Sequence, residues 1–122
     1  MTSPTPENIR DAILKALDDG QAEGIVSIPV GRQTPLADYI VIASGKTGRQ
    51  LSALADRIGH ALKAIGARVL RIEGAAQGDW VLVDARDVIV HLFRPDVRNF
   101  YKLEKVWTPP QGEAETEPAD KA

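Results

Sequence analysis

Two short apolar runs, Trp80–Asp84 and Val88–Phe93, flank a three-residue gap, and no other stretch of the chain restricts its fold as much. Side chains of a strand alternate between two faces. With a two-residue turn at Ala85-Arg86, Asp84 would oppose Asp87, Leu82 would oppose Ile89, and Trp80 would oppose His91. One face then carries Val81, Val83, Val88, Val90 and Leu92, is wholly apolar, and must pack on helices. The other carries Trp80, Leu82, Asp84, Asp87, Ile89, His91 and Phe93. Neighbouring carboxylates buried without partners are costly, so this second face is expected to be at least partly open. An open face holding large apolar side chains is an adhesive surface. The blander expectation is that a last helix folds over part of it and that Arg94 or Arg98 neutralises the acids.

The remaining periodicities place this hairpin in a layered α/β domain. Thr5 and Pro6 read as an N-cap and a first helical residue, and Ile9, Ala12, Ile13, Ala16 and Leu17 follow at helical spacing until Gly20. Gly24–Val30 reads as an edge strand because it contains Pro29. Gly31–Ala37 is a loop and Tyr39–Ser44 a buried strand. The turn Gly45–Gly48 leads into a long helix whose buried stripe is Leu51, Leu54, Ala55, Ile58, Leu62 and Ile65, stopped by Gly66. Arg68–Ile72 is a short third strand. The unit from Tyr39 to Ile72 is expected to be parallel and right-handed. Pro95 opens a last helix through Val97 and Tyr101 to about Glu104. The expected architecture is one layered domain, a mixed five-stranded sheet flanked by helices, over residues 1–107. A Pro-, Glu- and Ala-rich acidic tail, 108–122, is expected to be disordered.

Composition narrows the function. The chain of 122 residues has room for one core. It has no cysteine, which excludes thiol catalysis and zinc–thiolate sites. No apolar run reaches a membrane-spanning length, and the N-terminus lacks the pattern of a secretion signal, so a cytoplasmic protein is expected. The net charge of −2 is far from the strong basicity of domains that coat nucleic acid. Aromatic residues are scarce, yet Trp80, Phe93, Phe100, Tyr101 and Trp107 all lie between Glu73 and Trp107. Aromatic side chains are the usual anchors of cores and interfaces.

Catalytic readings are weak. Ser44–Arg49 joins a strand to a helix, where amides can bind anions, but it has neither P-loop nor dinucleotide-loop spacing; a capped turn explains it. Asp38, Asp84 and Asp87 show no committed metal-ligand spacing. His60 falls on the solvent side of its helix, and His91 reads as a structural or interface histidine rather than a general base. No nucleophile–base pair stands out. The mixture of Arg94, Arg98, Lys102 and Lys105 with Tyr101 and Trp107 could contact RNA, but Asp96, Glu104 and the acidic tail are interleaved with it. The rival functions left are a metal-dependent nucleotidyltransferase-like enzyme and an RNA-binding module.

An ordered set of motifs adds a resemblance. Ala37-Asp38-Tyr39-Ile40-Val41-Ile42-Ala43-Ser44-Gly45 is followed by Arg49-Gln50 and Ala53-x-Ala55-Asp56, then by Glu73-Gly74 and Gly78-x-Trp80-Val81-Leu82-x-Asp84. Asp87-Val88-x-Val90-His91-x-Phe93 and Arg98-x-Phe100-Tyr101-x-Leu103-Glu104-x-x-Trp107 complete it. These pieces run from Ala37 to Trp107 within a resemblance that covers about Ile9 to Trp107, and the chain resembles the ribosomal silencing factor, or Iojap-like, family. The resemblance implies a small α/β fold related to nucleotidyltransferases but without their catalytic residues, no cofactor and no metal. It implies a factor that binds the large ribosomal subunit through the fourteenth protein of that subunit, blocks joining of the small subunit and represses translation, and that tends to form homodimers. The protein-binding residues carried over are Trp80, Leu82, Asp84, His91, Arg98, Tyr101, Leu103, Glu104 and Trp107. Two departures stand out: Lys46-Thr47-Gly48 replaces a pattern like Thr-Ser-x-Arg, and Arg86 stands where the family often has glycine, which throws doubt on a two-residue turn at Ala85-Arg86.

Overall fold

A computed structural model of the chain describes residues 4–74 and 79–95. The elements run α1 (Pro6–Asp19), β1 (Glu23–Pro29), β2 (Tyr39–Ser44), α2 (Gly48–Ala64), β3 (Arg71–Glu73), β4 (Trp80–Asp84) and β5 (Val88–Phe93). The expected starting residues 1–3, and the last helix beyond Pro95 together with the tail, lie outside the described residues.

Both helices begin where the sequence says they should. Thr5 caps α1: its Oγ1 accepts the Asn8 amide N–H at 3.0 Å, and the Asn8 side chain accepts the Thr5 N–H at 3.2 Å. Thr47 caps α2 by accepting the Gln50 N–H at 3.0 Å, so the Ser44–Arg49 turn is a capped strand-to-helix junction. One difference is Ile65, placed in the buried stripe by spacing but 39% exposed, because it is already the C-cap beyond the last helical turn.

The five strands form one mixed sheet in the order β1-β2-β5-β4-β3. β1 pairs antiparallel with β2 and, as its Pro29 implies, lies at an edge. β2 runs parallel to β5, while β5–β4 and β4–β3 are antiparallel. β2 and β3 therefore point the same way, as expected of a strand–helix–strand unit, but they are not neighbours: β5 and β4 lie between them. The third strand is also later and shorter than the Arg68–Ile72 expected.

The helices share one face of the sheet. Ile9, Ile13 and Leu17 of α1 and Leu51, Leu54, Ile58 and Leu62 of α2 form a single core with Val41, Ala43, Val81, Val83, Val88, Val90 and Leu92. The helices approach closely where α1 ends, since a Cβ at Gly20 would run into the Leu54 and Arg57 side chains. A second, smaller core on the opposite face joins Ile28, Ile40, Ile42 and Phe93 to Val30 and Ala37 of the β1–β2 loop. This second core sits over β1, β2 and the end of β5, and leaves the β4 and β3 side of the sheet more open.

Candidate interaction face on strands β3, β4 and β5

The hairpin is displaced by one residue from the turn the sequence suggests. Ala85 N–H donates to the Val88 carbonyl at 3.0 Å, so Arg86 and Asp87 form the turn instead of Ala85 and Arg86. Trp80 consequently opposes Phe93, Leu82 opposes His91 and Asp84 opposes Ile89. Moving the turn by one residue moves every partner by two. Because side chains alternate with a period of two, the composition of each face survives while each pairing changes. Asp84 therefore does not oppose Asp87, and the pair of adjacent carboxylates that the expected register produced does not arise. The physical cause is Arg86, which has φ of +73° at the position where a tight turn needs the left-handed region. The Asp84 side chain supports this conformation by accepting the Arg86 N–H at Oδ1, 2.9 Å away.

The apolar face is as read from alternation: Val81, Val83, Val88, Val90 and Leu92 are fully buried under the helices. The mixed face divides in two. Phe93, expected to be open, is completely buried and belongs to the second core. Trp80 is 42% exposed, and Leu82, Asp84, Ile89 and His91 are half-buried.

Trp80, His91 and Phe93 form an aromatic cluster on this face. The Trp80 ring stacks on its cross-strand partner Phe93 with centroids 5.2 Å apart, and lies 5.9 Å from His91. His91 and Phe93, two residues apart on β5, have nearly parallel rings at 6.0 Å. The indole Nε1–H of Trp80 donates to His91 Nδ1 at 3.2 Å. Burial holds the His91 imidazole below the ordinary histidine value. Gly74, at the end of β3, has φ of +84°, and a Cβ there would collide with the Trp80 carbonyl.

The acid on this face is engaged. Arg71 Nε lies 3.6 Å from Asp84 Oδ2, and the same guanidinium meets Glu73 at 2.9 Å. Arg94, expected to neutralise Asp84 or Asp87, instead pairs with Asp79 at 2.9 Å. Arg71 and Glu73 were not singled out in the sequence. They share the open face because β3 pairs with β4, setting Arg71 opposite Asp84 and Glu73 opposite Leu82. The alternation Arg71-Ile72-Glu73 was the available signal, but it has meaning only once its neighbour strand is known. Arg98, Tyr101, Leu103, Glu104 and Trp107 lie outside the described residues.

Among the described residues, no group of three or more His, Cys, Asp or Glu could hold a metal ion, and no helix is long and apolar enough to cross a membrane. His60 is exposed on α2 as its spacing predicts. Fold and face together define a small mixed-sheet α/β domain that presents a partly open, aromatic and charged sheet surface suited to binding another macromolecule.

Comparison with known proteins narrows this class. The family model described as "Ribosomal silencing factor during starvation" matches residues 3–122. The ribosomal silencing factor of Zymomonas mobilis is 47% identical over 106 residues, covering 87% of this chain and 80% of that protein. That of Bacillus subtilis is 39% identical over 92 residues, covering 75% and 78%. A mouse protein named for mitochondrial assembly of the large ribosomal subunit is 34% identical, over 80% of this chain and 44% of its own length. The crystal structure of a Chromobacterium violaceum protein superposes with a TM-score of 0.82 at 32% identity, covering 94% of this chain and 91% of that one. The chain belongs to the ribosomal silencing factor family, a family of ribosome-associated regulators of translation that includes the Iojap-related proteins.

Proposed function

We propose that this protein binds the large ribosomal subunit through the fourteenth protein of that subunit, using the open side of β4 and β5, and that its bulk then prevents the small subunit from docking. The observation that carries this reading is the half-open Trp80–Leu82–Asp84–His91 face, displayed on a rigid sheet by a member of this family. A large aromatic anchor beside aliphatic and paired charged groups is the composition typical of interface hot spots. The mechanism needs no chemistry. A folded domain of this length is roughly 30 Å across, enough to hold two large particles apart if it sits on the surface where they meet. Arg98, Tyr101, Leu103, Glu104 and Trp107 extend the same recognition surface in this reading. The free protein forms homodimers and works in the cytoplasm.

Sedimentation of the tagged protein with separated ribosomal subunits tests the proposal. Co-migration with the large subunit alone, together with fewer joined particles when the small subunit is added, is the expected result. Co-migration with the small subunit, or unimpaired joining while the protein stays bound, contradicts it.

A further inference from the structure

We propose that His91 is a positioning residue for Trp80: in its neutral form its Nδ1 accepts the indole N–H and holds the ring in its docking pose, and protonation of that nitrogen releases the ring. The inference rests on the reading of the β4–β5 face as the ribosome-binding surface, and it assigns to that face a sensitivity to pH.

The geometry carries it. An exposed tryptophan on a strand has several accessible rotamers, and fixing one of them before docking removes an entropic cost of binding. Trp80 is held by two contacts, the Phe93 ring beneath it and the 3.2 Å hydrogen bond to His91. Phe93 is completely buried and cannot follow a moving partner. An indole nitrogen only donates. The bond therefore requires a lone pair on His91 Nδ1 and puts the imidazole proton on Nε2, where among the described residues it has no partner and stands ready for an acceptor on the docked surface. A doubly protonated ring has no acceptor left, so two N–H groups would point at each other and the contact would turn from attractive to repulsive.

Among the described residues, the surroundings of His91 leave this contact in control. On β2 only Ile40, Ile42 and Ser44 share its face, and none of them titrates. On β4 it meets Trp80, its partner Leu82 and, one pair further along, Asp84, which is already bound to Arg71 and to the Arg86 amide. Glu73 and Arg71 on β3 are one strand further away and paired with each other. At the strand end Asp79 pairs with Arg94. Burial among these groups keeps the ring neutral near neutrality, so release belongs to mildly acidic conditions, below the ordinary histidine value of 6.5.

The test uses the full chain with Trp107→Phe, so that a single indole N–H is visible by nitrogen-labelled NMR. The expected result is that this resonance shifts as the His91 ring takes up its proton on acidification below the ordinary histidine value. In His91→Asn, whose side-chain oxygen can accept but does not titrate, the resonance should stay at the bonded position throughout. In His91→Phe it should sit at the released position at every pH. Compared within the Trp107→Phe background, large-subunit binding near neutral pH should be about tenfold weaker for His91→Phe than for His91→Asn, the worth of one hydrogen bond. An indole resonance indifferent to the titration of His91, or released in the asparagine variant, overturns the proposal. A normal indole response in a wild-type protein that does not bind the large subunit overturns the surface reading instead, and leaves the positioning contact standing.

Discussion

Single residues decide the sharpest features of this face. Arg86 occupies the left-handed region at φ of +73°, where a side chain costs about 1–2 kcal/mol that glycine does not incur. Glycine also raises the entropy of the unfolded chain, which offsets part of the gain. Arg86→Gly is therefore expected to stabilise the domain by about 0.5–1 kcal/mol in chemical denaturation, with the hairpin register unchanged; a destabilised variant would mean that the arginine side chain makes a contact worth more than the strain. The same residue marks where the turn lies. Alternation alone allows a two-residue turn at Ala85-Arg86, which the arginine already puts in doubt; the structure sets left-handed Arg86 in the turn with Asp87, with the Asp84 side chain accepting its amide N–H. Hydrophobic alternation is blind to both features.

At the level of elements, α1, α2, β1 and β2 were legible because each carries its own boundary marks: Thr5 as a cap, the Gly45–Gly48 turn, Pro29 as an edge residue, and apolar spacings of three and four. β3 was legible only as a short extended piece. Three residues, all exposed, leave no burial pattern from which to read a neighbour, so its pairing with β4 and the placing of Arg71 beside Asp84 were invisible. The end of β3 also fixes β4. Gly74→Ala would place a Cβ against the Trp80 carbonyl in a backbone conformation that already disfavours side chains. We expect a loss of about 2 kcal/mol or more in thermal or chemical denaturation, from left-handed strain and local displacement together. Unchanged stability would show that β3 and β4 can move apart freely.

For the molecule as a whole, two expectations follow from the divided sheet face. His91 is held neutral by burial in the folded protein, whereas the unfolded chain binds its proton near 6.5. Between the lowered folded value and 6.5 the unfolded state thus carries more protons, so this group makes stability rise with pH through that window and leaves it flat on either side. Melting temperatures measured across mildly acidic pH should fall as pH falls, and the fall should shrink in His91→Asn; an identical profile in the variant would assign the effect to another group. The second expectation concerns docking. Trp80 is a large anchor that the fold leaves 42% exposed rather than spending it on the core. Trp80→Ala should therefore leave the domain folded, at the cost of the stacking on Phe93, while weakening large-subunit binding by about 2 kcal/mol or more. Wild-type affinity in that variant would remove the proposed surface.

The sequence by itself determined which residues share a face and which elements form, because alternation, helical spacing and caps are local properties of the chain. With a hairpin assumed between the two runs, it placed Trp80, Leu82, Asp84 and His91 on one mixed face, and the shifted register keeps them there. Only the tertiary structure decided the partners: that β5 and β4 insert between β2 and β3, that Phe93 sinks into a second core while Trp80 stays out, and that Arg71 rather than Arg94 meets Asp84. These outcomes depend on contacts between segments distant in the chain. There the competition among alternative pairings is settled by the fit of whole elements, not by the identity of any one of them.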